Sequence, residues 1–158
     1  MNDILTIIGL TFLPLLELRA SIPYGLFNTD LSWVTVFIVA VLANIALGPL
    51  LYLFLDRFVH IFLHVKIINK YYQKIIIQAQ KKVSKYIEKY GIIGLAIFIG
   101  VPLPGSGVYS AALGAYFLGF KFKDFFWATI IGVLIAGVIV LAVCTLGNGA
   151  WDIFVKKV

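Results

Sequence analysis

Charge is what this chain has least of. Only 13% of its 158 residues are Asp, Glu, Lys or Arg, where a soluble domain carries about a quarter. That scarcity excludes a conventional water-exposed surface. Cysteine is nearly absent: the single Cys144 excludes an intrachain disulfide and a multi-cysteine metal site, and its apolar neighbours make it a packed, inert thiol. No basic region precedes the first apolar run, which holds only Asp3 at its start, and no small-x-small cleavage site follows Leu16. The opening segment therefore reads as retained rather than as a signal peptide. There is no nucleotide loop, nucleophile elbow or zinc signature. No nucleophile–base set is visible, so the residues point away from an enzyme, and nothing calls for a cofactor, a metal or nucleic acid.

What is present is apolar. Hydrophobic residues make up 62% of the chain and the mean hydropathy is +1.04, so the solvent for this fold is a bilayer. Ile4 to Leu16 is apolar but about 20 Å long as a helix, too short for a core of about 30 Å. A polar, proline-containing break, Glu17 to Pro23, follows. Leu31 to Leu55 is long enough to span, interrupted mainly by Asn44 and Gly48-Pro49. Lys66, Lys70, Lys74, Lys81, Lys82, Lys85 and Lys89 then gather against one acid, Glu88. With Tyr71, Ile75 and Tyr86 at loosely helical spacing, residues 66–89 predict an amphipathic helix on the membrane surface.

The pattern then recurs. Ile92 to Val101 is a short arm, Pro102-Leu103-Pro104-Gly105-Ser106-Gly107 a break, and Val108 to Phe120 a second short arm. Lys121, Lys123 and Asp124 mark a polar turn, and Phe125 to Leu146 is again of span length. "LELRASIPYG" lies over "VPLPGSGVYS" at an offset of 85, aligning Ser21 with Ser106. Broken helices at matching positions are the sequence sign of an inverted-repeat membrane transporter. The expected fold is an all-α integral membrane protein, an inverted repeat of a re-entrant broken-helix hairpin plus a transmembrane helix. It is one domain over 1–158: first repeat 1–60, basic surface helix 61–90, second repeat 91–150, tail 151–158.

The positive-inside tendency puts the basic loop 66–89 in the cytoplasm of a multi-pass cell-membrane protein. Counting charges does not choose between re-entrant and fully crossing breaks. Arm length favours re-entry, and re-entrant backbone is tolerated only against protein or a wet cavity, so the two breaks should face each other.

Two constellations carry candidate chemistry. Glu17-Leu18-Arg19 places two charges where each costs about 3 kcal/mol or more at mid-bilayer, so they are expected to pair or to work. Arg19 offers a planar fork for phosphate or carboxylate. Glu17 is suited to carry a coupling proton, because burial favours a neutral carboxyl. Around them stand Ser21 and Pro23. In the second break Pro102 and Pro104 end a helix, Gly105 and Gly107 allow close approach, and Ser106 is a candidate N-cap leaving a helix N-terminus as an anion site. Asn44, polar in mid-span, bonds across helices or lines a path. Stripes of small residues (Gly107, Ala111, Ala115, Gly119; Ala128, Gly132, Ala136; Ala40, Asn44, Gly48) read as helix packing, and offer a face for a homodimer. Asp56, His60 and His64 fall at four-residue steps but read as a solvated interface rather than a metal face, and Trp33, Trp127 and Trp151 as interfacial belt residues.

"ELRASIP" and "PLPGSG" followed by a small-residue helix resemble the small multidrug export family of short membrane proteins. More distantly, the layout resembles the DedA/VTT superfamily, whose members are associated with flipping or scrambling lipids, polyprenyl-phosphate carriers among them. By that resemblance Glu17 and Arg19 match a charged first break, and Pro104, Gly105 and Ser106 a Pro-Gly second break that here has no arginine. The expected function is a transporter or flippase for an anionic amphiphile, plausibly a polyprenyl-phosphate-type lipid, with proton coupling through Glu17. The alternatives are a small multidrug exporter for cationic drugs, or a structural or assembly subunit in which Glu17 and Arg19 only pair with each other. The expected partners are membrane lipids, a small-molecule or lipid-phosphate substrate, and a second copy of the chain.

Overall fold

The computed structural model describes residues 3–14, 16–62, 90–101 and 106–147. The basic stretch 66–89, the motif residues Pro102, Leu103, Pro104 and Gly105, His64, Trp151 and the tail lie outside them. Among the described residues the chain is all helical, with six helices: α1 Asp3–Thr11, α2 Glu17–Asn28, α3 Trp33–Phe62, α4 Tyr90–Gly100, α5 Val108–Leu118 and α6 Phe122–Gly147.

Two helices hold candidate spans: Trp33–Phe58 (26 residues) in α3 and Phe122–Leu146 (25 residues) in α6. Only 33% and 39% of their most apolar windows are buried within the chain, so most of their apolar surface is left uncovered by the protein itself. Leu42, Leu53, Phe54, Val138, Val143 and Leu146 stand more than half exposed, as apolar side chains do when lipid is the solvent.

Helix ends follow local chemistry. Ser32 caps α3: its Oγ accepts from the Thr35 amide at 3.3 Å and pairs with Thr35 Oγ1 at 2.9 Å. Gly119, in the left-handed region (φ 80°), closes α5. Its amide donates to Tyr116 O at 3.2 Å and that of Phe120 to Ala115 O at 2.9 Å, the paired bonds of a Schellman cap. The turn before α6 is thus Gly119 to Lys121, and Lys123 and Asp124 belong to the first turn of α6, not to the turn as the charge pattern suggested.

Contacts at the glycines set the register. A Cβ on Gly25 would meet both methyls of Val36 and stand 3.1 Å from Ile7 Cδ1, while Thr11 Oγ1 lies 2.7 Å from Ser21 Oγ. α1 and α2 are therefore antiparallel, and α2 runs antiparallel to α3. Gly48 faces Thr129, and Gly137 faces Phe37 and Val41, which makes α3 and α6 antiparallel. Gly132 meets Ile99 Cβ at 2.6 Å and Ala96 O at 2.7 Å, and Gly100 meets Ile135 at 2.9 Å, so α4 runs alongside α6 in the same direction. Tyr52 joins the far end of α3 to the α5–α6 corner. Its hydroxyl donates to Phe120 O at 2.6 Å, and its ring lies 5.7 Å from Tyr116, 5.5 Å from Phe122 and 5.3 Å from Phe125.

The small-residue stripes serve this packing. Ala111, Ala115, Ala128, Ala136 and Ala40 are all buried within one chain, so they are used up inside the protomer rather than offered to a second copy.

Two boundaries differ from the sequence reading. The first break is Phe12 to Leu16, around Pro14, and α2 begins at Glu17 and continues through Pro23. Proline removes one amide and crowds the carbonyl four residues back, a defect that membrane helices accommodate. The 85-residue offset also does not match the helices. α2 starts at Glu17 and α5 at Val108, 91 residues on; α3 starts at Trp33 and α6 at Phe122, 89 on. Ser21 sits inside α2 while Ser106 precedes α5, so the two serines are not structural equivalents.

Candidate functional site

The two breaks meet. Glu17 is only 5% exposed and stands in the left-handed backbone region, φ 46°, an unusual conformation for a residue with a side chain. That geometry sends its carboxylate to the start of α5. Oε2 accepts from the Val108 amide at 3.2 Å and Oε1 from the Tyr109 amide at 3.3 Å. Gly107 makes room: a Cβ there would stand 2.7 and 2.8 Å from the two carboxylate oxygens, and its φ of 137° already disfavours a side chain. Tyr109 adds a second tie, its hydroxyl donating to Phe12 O at the end of the first arm.

Arg19 does the converse. Its Nη2 donates to Ser106 Oγ at 3.0 Å and lies 3.4 Å from Val101 O, at the C-terminal end of α4. Ser106 Oγ itself donates to Val101 O at 2.6 Å. The anion thus sits on the positive end of one helix and the cation on the negative end of another, the arrangement the helix dipole favours. Hydrogen bonds to a charged group contribute about 1.5–3 kcal/mol each. Two of them at Glu17, with the dipole, are of the size needed to offset the roughly 3 kcal/mol of placing a charge at mid-bilayer.

Two expectations are corrected. Ser106 does not cap α5; Gly107 is the N-cap residue, with no side-chain capping bond of its own, and the capping acceptor comes from Glu17. Nor is the α5 N-terminus an open anion site, because Glu17 fills it. Tyr109 and Phe12 are cross-break partners that stand outside the residues expected at the site. No sequence signal marked them, since both look like ordinary apolar-segment residues.

Asn44 stands at the same depth, by three registers. Val36 touches Gly25, and stepping eight residues from each brings Asn44 level with Glu17. Tyr52 touches Tyr116, and stepping back eight from each brings Asn44 level with Val108. Thr129 faces Gly48 and Gly137 faces Val41, which puts Asn44 opposite Val133. All lie near the middle of the two spans. Asn44 is 1% exposed and its Oδ1 has no hydrogen-bond partner, an omission worth about 1–3 kcal/mol.

Ser21, fully buried, bonds Thr11 and holds α1 to α2; Pro23 lies within α2 beside it. Pro102, Pro104 and Gly105 are outside the described residues. Among the described residues no group of three or more potential metal ligands gathers. Leu5, Thr6, Gly9, Leu10 and Leu13 form an open apolar face along α1.

All helical among the described residues, with two candidate spans and two broken segments joined by a buried carboxylate and a guanidinium, the chain has the build of a small helical membrane protein with a polar centre. The family model described as "Putative small multi-drug export protein" matches residues 17–139, and the chain belongs to that family. The match begins at Glu17, the first residue after the first break, and takes in the second break. No curated protein and no solved structure matches the chain.

Proposed function

We propose that the protein moves an anionic amphiphile, of the polyprenyl-phosphate type, across the membrane through the centre where the two breaks meet. The α1–α2 and α4–α5 hairpins enter from opposite faces as re-entrant halves of an inverted repeat, the layout for which the DedA/VTT resemblance speaks. Support for re-entry comes from register. Asn28 leads into the start of α3, whereas Phe120 is bonded near its other end, which separates the hairpin mouths by most of a span.

The observation that carries the reading is the Glu17 carboxylate seated on the α5 N-terminus with Arg19 beside it. A site that holds one carboxylate on backbone amides holds another anion by the same bonds. Protonation of Glu17 frees those amides, an anionic headgroup takes its place next to Arg19, and return of the carboxylate expels the headgroup. The open apolar face of α1 suits an acyl chain. Liposomes reconstituted with the native chain should translocate a labelled polyprenyl phosphate. Glu17→Gln and Arg19→Ala should each reduce flux about tenfold or more, the size of one lost charged hydrogen bond. Equal flux in all three would end the proposal. Cysteine labelling at Asn28 and Lys121 tests the topology: re-entry places them on opposite sides of the membrane, full crossing on the same side.

The family description favours a second reading, export of cationic drugs with Glu17 as counter-charge. Substrate sign separates the two, because removing the Arg19 charge hinders an anion and helps a cation.

A further inference from the structure

We infer that Asn44 is the second seat of the Glu17 side chain: the ionised carboxylate rests on the Val108 and Tyr109 amides, and the protonated carboxyl swings to donate its hydrogen to Asn44 Oδ1. This rests on the proposal that Glu17 carries a proton, and it names the group that receives the side chain once the proton is on.

The chemistry of the first seat requires a second. At the start of α5 the hydrogen bonds to Glu17 come from two donors, the backbone N–H groups of Val108 and Tyr109. A carboxylate suits them with both oxygens. A neutral carboxyl brings a donor of its own, and its O–H finds no acceptor among them; its attraction to the positive helix end is lost at the same time. The missing acceptor is Asn44 Oδ1, buried and without a partner. It belongs to the helix that packs against α2 and lies at the depth of Glu17. On α3, Val36 meets α2 while Val41 and Gly48 meet α6, Asn44 between them is 1% exposed, and α2, α3 and α6 are in mutual contact. The side chain therefore projects into the seam where these helices meet, not toward lipid.

The left-handed backbone of Glu17 assists the exchange. Such a conformation persists only while its surroundings hold it, and here the two amide bonds do the holding. Once they are lost, the backbone gains by relaxing. The ionisable groups facing Glu17 are few: the Tyr109 phenol on α5 and, two residues along its own helix, the Arg19 guanidinium. On α3 the nearest is the Tyr52 phenol, about two turns from Asn44, followed by Asp56 and Arg57. On α6 they are Lys123 and Asp124 at the helix start, and on α1 only Asp3, at its first residue. Among the described residues, then, no other carboxyl stands at this depth to compete for the proton.

The test is infrared difference spectroscopy of the full-length protein in lipid between neutral and acid pH, with amide hydrogen exchange alongside. A protonated-carboxyl stretch absent from Glu17→Gln identifies Glu17. In the native chain acid should lower protection of the Val108 and Tyr109 amides about tenfold or more, as a lost charged acceptor implies. In Asn44→Leu the Glu17 band should move to higher frequency, the mark of a carboxyl that no longer donates, and protection should persist further into acid. Asn44→Gln, which keeps the acceptor, should restore both toward native. A band position and a protection profile identical in native, Asn44→Leu and Asn44→Gln would overturn the inference, as would the absence of any Glu17 carboxyl band. Normal switching with no lipid flux would instead end the transport proposal alone.

Discussion

The two breaks solve the same problem with opposite materials. The first, Phe12 to Leu16 leading into α2, delivers charged side chains: Glu17 buried, Arg19 partly so. The described end of the second, Ser106 to Val108, delivers no charge, only backbone amides, a hydroxyl and the room left by Gly107. Neither is stable alone. Bare helix ends at mid-bilayer leave amides and carbonyls unsatisfied, and bare charges are costlier still. Brought together, each supplies what the other lacks. The charges in the first break are therefore addressed to the second break, where the Glu17 carboxylate and the Arg19 guanidinium each find hydrogen-bond partners.

The sharpest way to break this comparison is to exchange the charges. Glu17→Arg with Arg19→Glu preserves net charge and any mutual pairing, but sets a cation on the α5 N-terminus and an anion at the α4 C-terminus. It should cost about 4 kcal/mol or more, seen as failure to fold or as a large loss of thermal stability in detergent; native-like stability would sink the account. Removing the acceptor alone comes next. Glu17→Leu leaves two buried amides unsatisfied and should cost about 3 kcal/mol, Glu17→Gln about half that because the amide oxygen still accepts.

Gly107→Ala should cost about 2 kcal/mol through steric conflict and its positive φ. In a Glu17→Ala background the steric part disappears, so a double-mutant cycle should show coupling of about 1 kcal/mol; strict additivity would mean that Gly107 does not serve Glu17. The smallest effects belong to the more exposed pair. Arg19→Ala and Ser106→Ala should each lower stability by about 1 kcal/mol or less, and the double mutant by less than their total.

Much of the fold was legible. Span-length apolar runs gave α3 and α6, and short arms gave α1, α4 and α5, because hydropathy and length report directly on the solvent a helix must meet. Ser32 and Gly119 end helices through local chemistry, which the hydropathy pattern did not mark. The site was legible as a set of residues, since Glu17, Arg19, Ser106, Gly107 and Asn44 are out of place in an apolar chain. Their pairing was not. Ser106 looks like an N-cap until Glu17 arrives from 90 residues away to take that role, and Tyr109 looks like any interfacial aromatic until its hydroxyl finds Phe12. The internal alignment failed for a related reason: it matched letters in the breaks, while the helices recur at a longer spacing.

The sequence by itself determined the medium, the elements and the presence of a polar centre, because transfer from water to lipid is a property of each segment on its own. Only the tertiary structure decided which charge answers which helix end, and that Asn44 is left without a partner beside them. Hydrogen bonds and helix-end electrostatics act over a few ångströms between residues far apart in the chain, so they exist only once the two breaks are side by side.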